Sequence, residues 1–225
     1  VRIALVSDIH SNLPALRAVK AEVERLGADV VICAGDTVGY GGSPNECCDI
    51  VAGWVRSSCV GNHDYAALKK DTAGMNPYAA LAALWTAENL DEASKAYLGG
   101  LGESSRFRVA GTEFAIHHGS PRSIWEYLYE DDISEGMLDE ARAQVLVFGH
   151  THISYARSYT DGTIVNPGSV GQPRDGDPRA CFALLETDPL RCETVRVEYD
   201  IDVAVEAITS AGLPQMLADR LSKGY

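Results

Sequence analysis

Four short stretches of this chain are apolar without a break, and each runs straight into small and polar residues. Ile3-Ala4-Leu5-Val6 is followed by Ser7-Asp8-Ile9-His10, and Val30-Val31-Ile32-Cys33-Ala34 by Gly35-Asp36. Cys59-Val60 is followed by Gly61-Asn62-His63-Asp64, and Val145-Leu146-Val147-Phe148 by Gly149-His150-Thr151-His152. Unbroken apolar runs are expected of strands buried on both faces, whereas a strand with one wet face alternates. Strands of that kind need layers on both sides, and ligands gather in the crevice outside their C-terminal ends.

The rest of the chain supplies those layers. Leu13, Leu16, Val19, Val23 and Leu26 recur at helical spacing behind Pro14, and Gly27 stops that helix. Further helices are expected at residues 44–55, 77–90, 91–98 and 133–141, and from Val203 and Pro214 onward. Residues 107–110 and 112–116 flank Gly111 as a hairpin, and residues 154–159 and 163–165 flank Asp161-Gly162 as another. Strands are also expected at 180–185 and 194–199, with a turn at Asp188-Pro189. Strand–helix units followed by hairpins, with helices at both ends, predict two sheets packed together and covered by helices.

Composition narrows the function. The 225 residues carry 19 Lys+Arg against 32 Asp+Glu, a net charge of −13. Long nucleic acid is a poor partner for such a chain, because neutralising phosphates needs clustered basic residues. No run approaches the ~18 to 20 apolar residues of a membrane span, and the start is too short for a signal-peptide core. The six cysteines, Cys33, Cys47, Cys48, Cys59, Cys181 and Cys192, include no CxxC and read as reduced thiols. The expectation is one cytoplasmic domain over residues 1–225, with about 66–101 as a helical cap. Nothing in the sequence speaks to oligomeric state.

The six histidines are His10, His63, His117, His118, His150 and His152, and all are expected at strand ends, together with Asp8, Asp36 and Asn62. Asp8-x-His10 and His150-x-His152 are i, i+2 pairs, which in extended backbone point to one side. Imidazole, carboxylate and amide oxygen form a ligand set suited to Mn, Fe, Zn, Ni or Co. Asp8, His10, Asp36, Asn62, one of His117 and His118, His150 and His152 make seven candidate ligands. That is too many for one ion that must leave room for substrate, and it suits two ions with a bridging carboxylate. Two divalent ions, two aspartates and a hydroxide sum to about +1, a cationic pocket for an anionic phosphoester.

These motifs, together with His118-Gly119 and Asn166-Pro167-Gly168-Ser169, resemble those of calcineurin-like metallophosphoesterases. The similarity is to the bacterial branch of small phosphodiesterases and diadenosine-tetraphosphatase-like proteins. The resemblance implies a four-layer α/β/β/α sandwich of two mixed sheets flanked by helices, with a dinuclear centre, manganese being the expected metal. By motif position, Asp8, His10 and His152 would hold one ion, and Asn62, His118 and His150 the other, with Asp36 bridging. His118 takes precedence over His117 because it directly precedes Gly119. His63 would be the catalytic imidazole that binds no metal, and a bridging hydroxide would attack phosphorus.

The expected substrate is a small phosphodiester or nucleotide. Hydrolysis of a dinucleoside polyphosphate and a non-catalytic scaffold that retains the fold are the alternatives. One departure stands out. The protein Ser/Thr phosphatases of the family continue the Gly-Asp motif to Asp-Arg-Gly, whereas this chain reads Gly35-Asp36-Thr37-Val38-Gly39-Tyr40-Gly41. The aspartate that orients the catalytic histidine and the phosphate-binding arginine are both missing, so Asp64 or a backbone carbonyl is expected to orient His63. Arg174 is the candidate substrate-binding residue, with Arg122 behind it. Tyr40 reads equally as a base-stacking or a packing residue. Trp54, Trp85 and Trp125 read as packing, and Glu130-Asp131-Asp132 as a solvated face.

Overall fold

The computed structural model describes residues 1–225. Its first half runs β1 (Arg2–Val6), α1 (Leu13–Arg25), β2 (Val30–Cys33), α2 (Pro44–Trp54), β3 (Ser57–Ser58), α3 (Asn62–Lys69), α4 (Pro77–Asn89) and α5 (Glu92–Gly99). The second half runs β4 (Ser104–Val109), β5 (Thr112–His117), α6 (Gly136–Ala141), β6 (Val145–Val147), β7 (Tyr155–Ser158) and β8 (Thr163–Asn166). It ends with β9 (Ala180–Thr187), β10 (Leu190–Val197), α7 (Ile201–Ser210) and α8 (Gln215–Asp219).

Two five-stranded mixed sheets result, in the orders β10-β9-β1-β2-β3 and β4-β5-β6-β8-β7. β1 pairs with β2 in parallel and with β9 antiparallel. The central strand β1 is apolar throughout because both its faces are covered. Ile3 and Leu5 meet Phe114, Ile116, Val145 and Val147 of the second sheet. Ala4 and Val6 turn the other way, onto Leu16, Val19, Cys47 and Val51 of α1 and α2. Each such side chain removed from water stabilises the fold by ~1.5 to 3 kcal/mol. The outer face of the second sheet, Ala115, Leu146, Phe148 and Ile164, is covered by Leu128, Ile133 and Leu138. The layers are therefore α/β/β/α, with the last one thin.

Helix starts follow local chemistry. Asn12 caps α1 by accepting from the Ala15 amide, Asn76 caps α4, Asp91 caps α5 and Asp200 caps α7. Several boundaries differ from the sequence reading, β4 starting at Ser104 and α6 at Gly136 among them. The edge strand is Ser57–Ser58, one pair earlier than the apolar Cys59-Val60, because its backbone registers on Ile32 and Cys33 while Cys59 is core beneath it. β10 begins at Leu190, since a two-residue turn pairs Leu190 with Thr187 and the polar run that follows is held by backbone ladder bonds. α3 starts at Asn62, inside the Gly61-Asn62-His63-Asp64 motif and ahead of the stretch from about residue 66 expected as a helical cap. In the stretch expected as a cap, α5 and α3 pack through Leu98 and Ala67 on Cys48 of α2, and α4 packs through Ala79 and Ala82 on α7 and α8. No helix is long and apolar enough to cross a membrane.

Candidate metal centre and cleft

The loops leaving β1, β2, β5 and β6, and the start of α3, meet at one end of the two sheets. They are tied to each other through backbone. The Ile9 amide donates to the Asp36 carbonyl at 2.8 Å, the Asp8 amide to Gly35 at 3.0 Å, and the Gly149 amide to His118 at 2.8 Å. Asp8, His10, Asp36, His150 and His152 all adopt left-handed backbone, with φ of 53°, 50°, 53°, 67° and 61°. Such residues cost ~1 to 3 kcal/mol each and persist where surrounding structure dictates them, which is typical of functional sites. This corrects one expectation: the i, i+2 pairs share a site because both members turn out of their strands, not because they lie on extended backbone.

All seven expected ligands converge, and nearly all are fully buried. Asp8, His10 and His152 form one group whose candidate ligand atoms lie within 4.8 Å of one another, and Asp36, His118 and His150 form another. Asn62 joins the second group through Oδ1, 3.0 Å from His118 Nε2. Asp36 Oδ2 stands between the groups, 3.7 Å from His10 Nε2 and 3.2 Å from His118 Nε2. His63 also lies within reach of His10 and Asp36, so distance alone would admit it as a ligand. His117, in contrast, ends β5 on the other face, half-buried near Phe148, outside the cluster.

Hydrogen bonds settle which atoms are free. His10 Nδ1 faces the Val38 carbonyl at 3.2 Å, His152 Nδ1 the Gln172 carbonyl at 2.5 Å, and His118 Nδ1 the Ala34 carbonyl at 2.8 Å. Those nitrogens must carry protons, which leaves Nε2 of His10 and His152 a lone pair aimed inward and turns Nε2 of His118 toward Asn62 Oδ1 and Asp36 Oδ2. His150 is reversed: its Nε2 faces the Trp125 carbonyl, leaving Nδ1 free. Asp8 Oδ2 accepts from the His150 amide and Asp36 Oδ1 from the His63 amide. Asp8 Oδ1 and Asp36 Oδ2 remain buried without any donor.

At the His10–His152 pair acceptor thus faces acceptor, an arrangement that a bound cation would reconcile. Burial opposes charge on every histidine; it takes His150 down to about 3 and His63 to about 4. At His118 burial is outweighed by the carboxylates of Asp36 and Asp8, which raise it to about 9. Burial would raise both aspartates, but the imidazoles beside them, His152 for Asp8 and His118 for Asp36, hold them well below the usual carboxylate range. The donor set, two carboxylates, one amide oxygen and four imidazoles, fits divalent ions of the Mn-to-Zn series.

A cleft of about 380 Å³ opens beside the cluster, lined by Tyr40, Asn62, His63, Trp125, Tyr127 and His150 and by residues 73–76. His63 occupies the first turn of α3, packed against Tyr40 at 4.3 Å and His10 at 4.9 Å between ring centroids. Its Nδ1 has no partner. Asp64 does not orient it: that carboxylate accepts from the Val38 and Gly61 amides, both at 3.0 Å. The ring is placed sterically instead. Gly39, at φ +95°, passes so close beneath it that a Cβ there would sit 2.5 Å from His63 Nδ1.

Other expectations sort themselves. Arg174 reaches Tyr40 Oη at 3.4 Å at the edge of the site. Arg122 is turned away and paired with Glu126 at 2.6 Å. Tyr40 is buried and packs on His10 and His63. Trp54 and Trp85 pack as expected, but Trp125 lines the cleft and positions His150. Asn166-Pro167-Gly168-Ser169 supports the loops: Asn166 Nδ2 donates to the Gly149 carbonyl at 2.7 Å, and Ser169 Oγ to the Asp8 carbonyl at 2.7 Å. Sequence reasoning missed Tyr127, stacked on His150 at 3.9 Å, and Arg220, 5.9 Å from the Tyr40 ring. No local pattern marks either, since both arrive from distant segments.

Comparison with known proteins agrees with this geometry. The family model for the calcineurin-like phosphoesterase superfamily domain matches residues 1–189. An uncharacterised protein of Methanocaldococcus jannaschii is 37% identical over 99% of this chain and 98% of its own. The crystal structure of a metallophosphoesterase from Sphaerobacter thermophilus superposes with a TM-score of 0.87 at 35% identity, covering 100% of this chain and 99% of that one. A hypothetical protein from Pyrococcus horikoshii shares the fold, with a TM-score of 0.87 at 21% identity over 100% and 98% of the two chains.

Proposed function

Because the chain belongs to the calcineurin-like phosphoesterase superfamily, we propose that it hydrolyses a small phosphodiester or nucleotide with the help of two divalent metal ions. Asp8, His10 and His152 would hold one ion, Asn62, His118 and His150 the other, and Asp36 both. The observation that carries this reading is the convergence of two buried carboxylate oxygens, Asp8 Oδ1 and Asp36 Oδ2, on the inward Nε2 atoms of His10, His118 and His152. What such ions supply is Lewis-acid polarisation of the phosphoryl group and a lowered pKa for water.

The chain's own groups do the rest. His63 stands on the cleft wall with an uncommitted Nδ1, neutral at pH 7 because it is buried. An anionic phosphoester beside it raises its proton affinity, so it can hydrogen-bond to and then protonate the leaving oxygen. Tyr40, Trp125 and Tyr127 shield the cleft and leave space for a nucleotide-sized ligand, not for a polymer. The scaffold reading is disfavoured by an intact ligand set and by His63 on the wall of the cleft.

Metal analysis of the purified protein, combined with bis-p-nitrophenyl phosphate, p-nitrophenyl phosphate and diadenosine tetraphosphate as substrates under Mn²⁺, tests the reading. Bound transition metal and preferential diester turnover are expected. No metal and no turnover with any added divalent ion would refute it.

A further inference from the structure

Four arginines are half-buried: Arg157, Arg174, Arg196 and Arg220. Arg157 faces Glu130 and Arg196 faces Asp175 and Asp177. Arg174 and Arg220 pair with no acidic side chain, although the chain carries 32 acidic residues against 19 basic ones. Instead both guanidiniums sit against one ring, 6.0 Å and 5.9 Å from the centroid of Tyr40. Their remaining contacts are thin. Arg174 Nη2 has long bonds to Tyr40 Oη at 3.4 Å and Gln172 Oε1 at 3.3 Å, and its Nε is buried with no partner. Arg220 Nε donates to the main-chain oxygen of Tyr225, the last residue of the sequence, and its Nη groups have no hydrogen-bond partner.

Holding two cations against one ring, half out of water, with no acidic side chain paired to either costs free energy that packing alone does not return. Burial and the charge of Arg174 together lower the pKa of Arg220, a sign of the same proximity. The pair is also well placed. Tyr40 contacts His10 at 4.7 Å and His63 at 4.3 Å between centroids, so one ring separates the guanidiniums from the candidate metal centre. The Arg174 amide is bonded to the carbonyl of His152 at 3.2 Å, which ties this arginine to a candidate ligand. Arg220 follows α8, C-terminal to residues 1–189 that carry the family match.

We propose that Arg174 and Arg220, gathered on Tyr40, bind a second phosphate group of the substrate, next to the phosphoryl group that is hydrolysed. The inference rests on the hydrolase reading above and narrows it to substrates with at least two phosphates. Two guanidinium forks suit phosphate oxygens better than ammonium groups would, because they can bind bidentately.

Calorimetric titration of inorganic tripolyphosphate and of inorganic phosphate into the metal-loaded protein tests it. Arg174→Ala and Arg220→Ala are each expected to weaken tripolyphosphate binding at least tenfold, with a smaller effect on phosphate. Arg174→Lys and Arg220→Lys keep the charge and the packing stem, so they guard against a folding defect and are expected to fall in between. Arg25→Ala, a surface arginine paired with Glu22 on α1, controls for loss of one charge and is expected to bind as the parent does. Tripolyphosphate affinity unchanged in both alanine variants would overturn the subsite and leave the hydrolase reading intact. Arginine-dependent tripolyphosphate binding by a protein that hydrolyses no phosphoester would uphold the subsite and overturn the hydrolase reading.

Discussion

His10 Nε2 and His152 Nε2 lie 3.0 Å apart, and neither nitrogen has a proton to offer the other. Their Nδ1 atoms face the carbonyls of Val38 and Gln172, and Asp8 Oδ1 adds a third acceptor 3.3 Å from His152 Nε2. Three lone pairs pointed at one spot repel unless a cation stands among them.

Removing metal should therefore destabilise the fold. A ligand at a hundred times its Kd adds ~2.7 kcal/mol, and for a domain of this size each kcal/mol moves Tm by ~2 to 4 °C. We expect EDTA to lower Tm by about 5 to 10 °C and Mn²⁺ to restore it. A Tm indifferent to both would count against the centre.

His63→Ala separates catalyst from ligand. Loss of general-acid assistance is expected to cut turnover by ~10² to 10⁴, while metal content by mass spectrometry stays at the parental value. A variant that lost metal together with turnover would make His63 a ligand, which its proximity to His10 and Asp36 allows.

Asn166 touches no candidate ligand side chain, yet it carries the loop that presents two of them. Its Nδ2 donates to the Gly149 carbonyl and to Thr151 Oγ1 at 2.9 Å, and its Oδ1 accepts from the Gly168 amide at 2.9 Å. Asn166→Ala leaves buried polar groups unpaired at ~1 to 3 kcal/mol each. Chemical denaturation should show that loss, and metal titration should show weaker binding. Parental metal affinity would mean the His150 to His152 loop holds its shape unaided.

Acid sensitivity should appear at Asp177. Hydrogen bonds from the Arg179 guanidinium hold its carboxyl down to about 2. A depressed pKa contributes stability that is complete above the unfolded value near 3.8 and is lost as pH falls through 2. The site is partly exposed, so the effect is under ~1 kcal/mol. The Tm difference between the parent and Asp177→Asn should be present at pH 6 and vanish between pH 4 and pH 2. A constant difference would place its cause elsewhere.

The architecture was legible where a covering layer on each face decides composition. Residues 3–6, 30–34 and 145–148 read as buried strands because Ile3 and Leu5 face the other sheet while Ala4 and Val6 face helices. Boundaries failed where backbone pairing decides, as at Ser57–Ser58 and at Leu190, since ladder bonds are indifferent to side-chain type. That Asp8, His10, Asp36, Asn62, His150 and His152 gather at one end of the sheets could be anticipated because polar motifs directly after buried strands have few structural uses, whereas His118 is preferred to His117 on the family resemblance alone.

The sequence alone determined which side chains this protein can bring to a metal and that they converge at strand ends, because short-range patterning and the two-sided sheet dictate both. Only the tertiary structure decided how they are aimed. The left-handed turns, the carbonyls that take up each Nδ1, the steric seat of His63 on Gly39, and the meeting of Arg174 with Arg220 over Tyr40 all depend on segments far apart in the chain. Orientation of a side chain is set by what packs against it, and those neighbours are chosen by the fold.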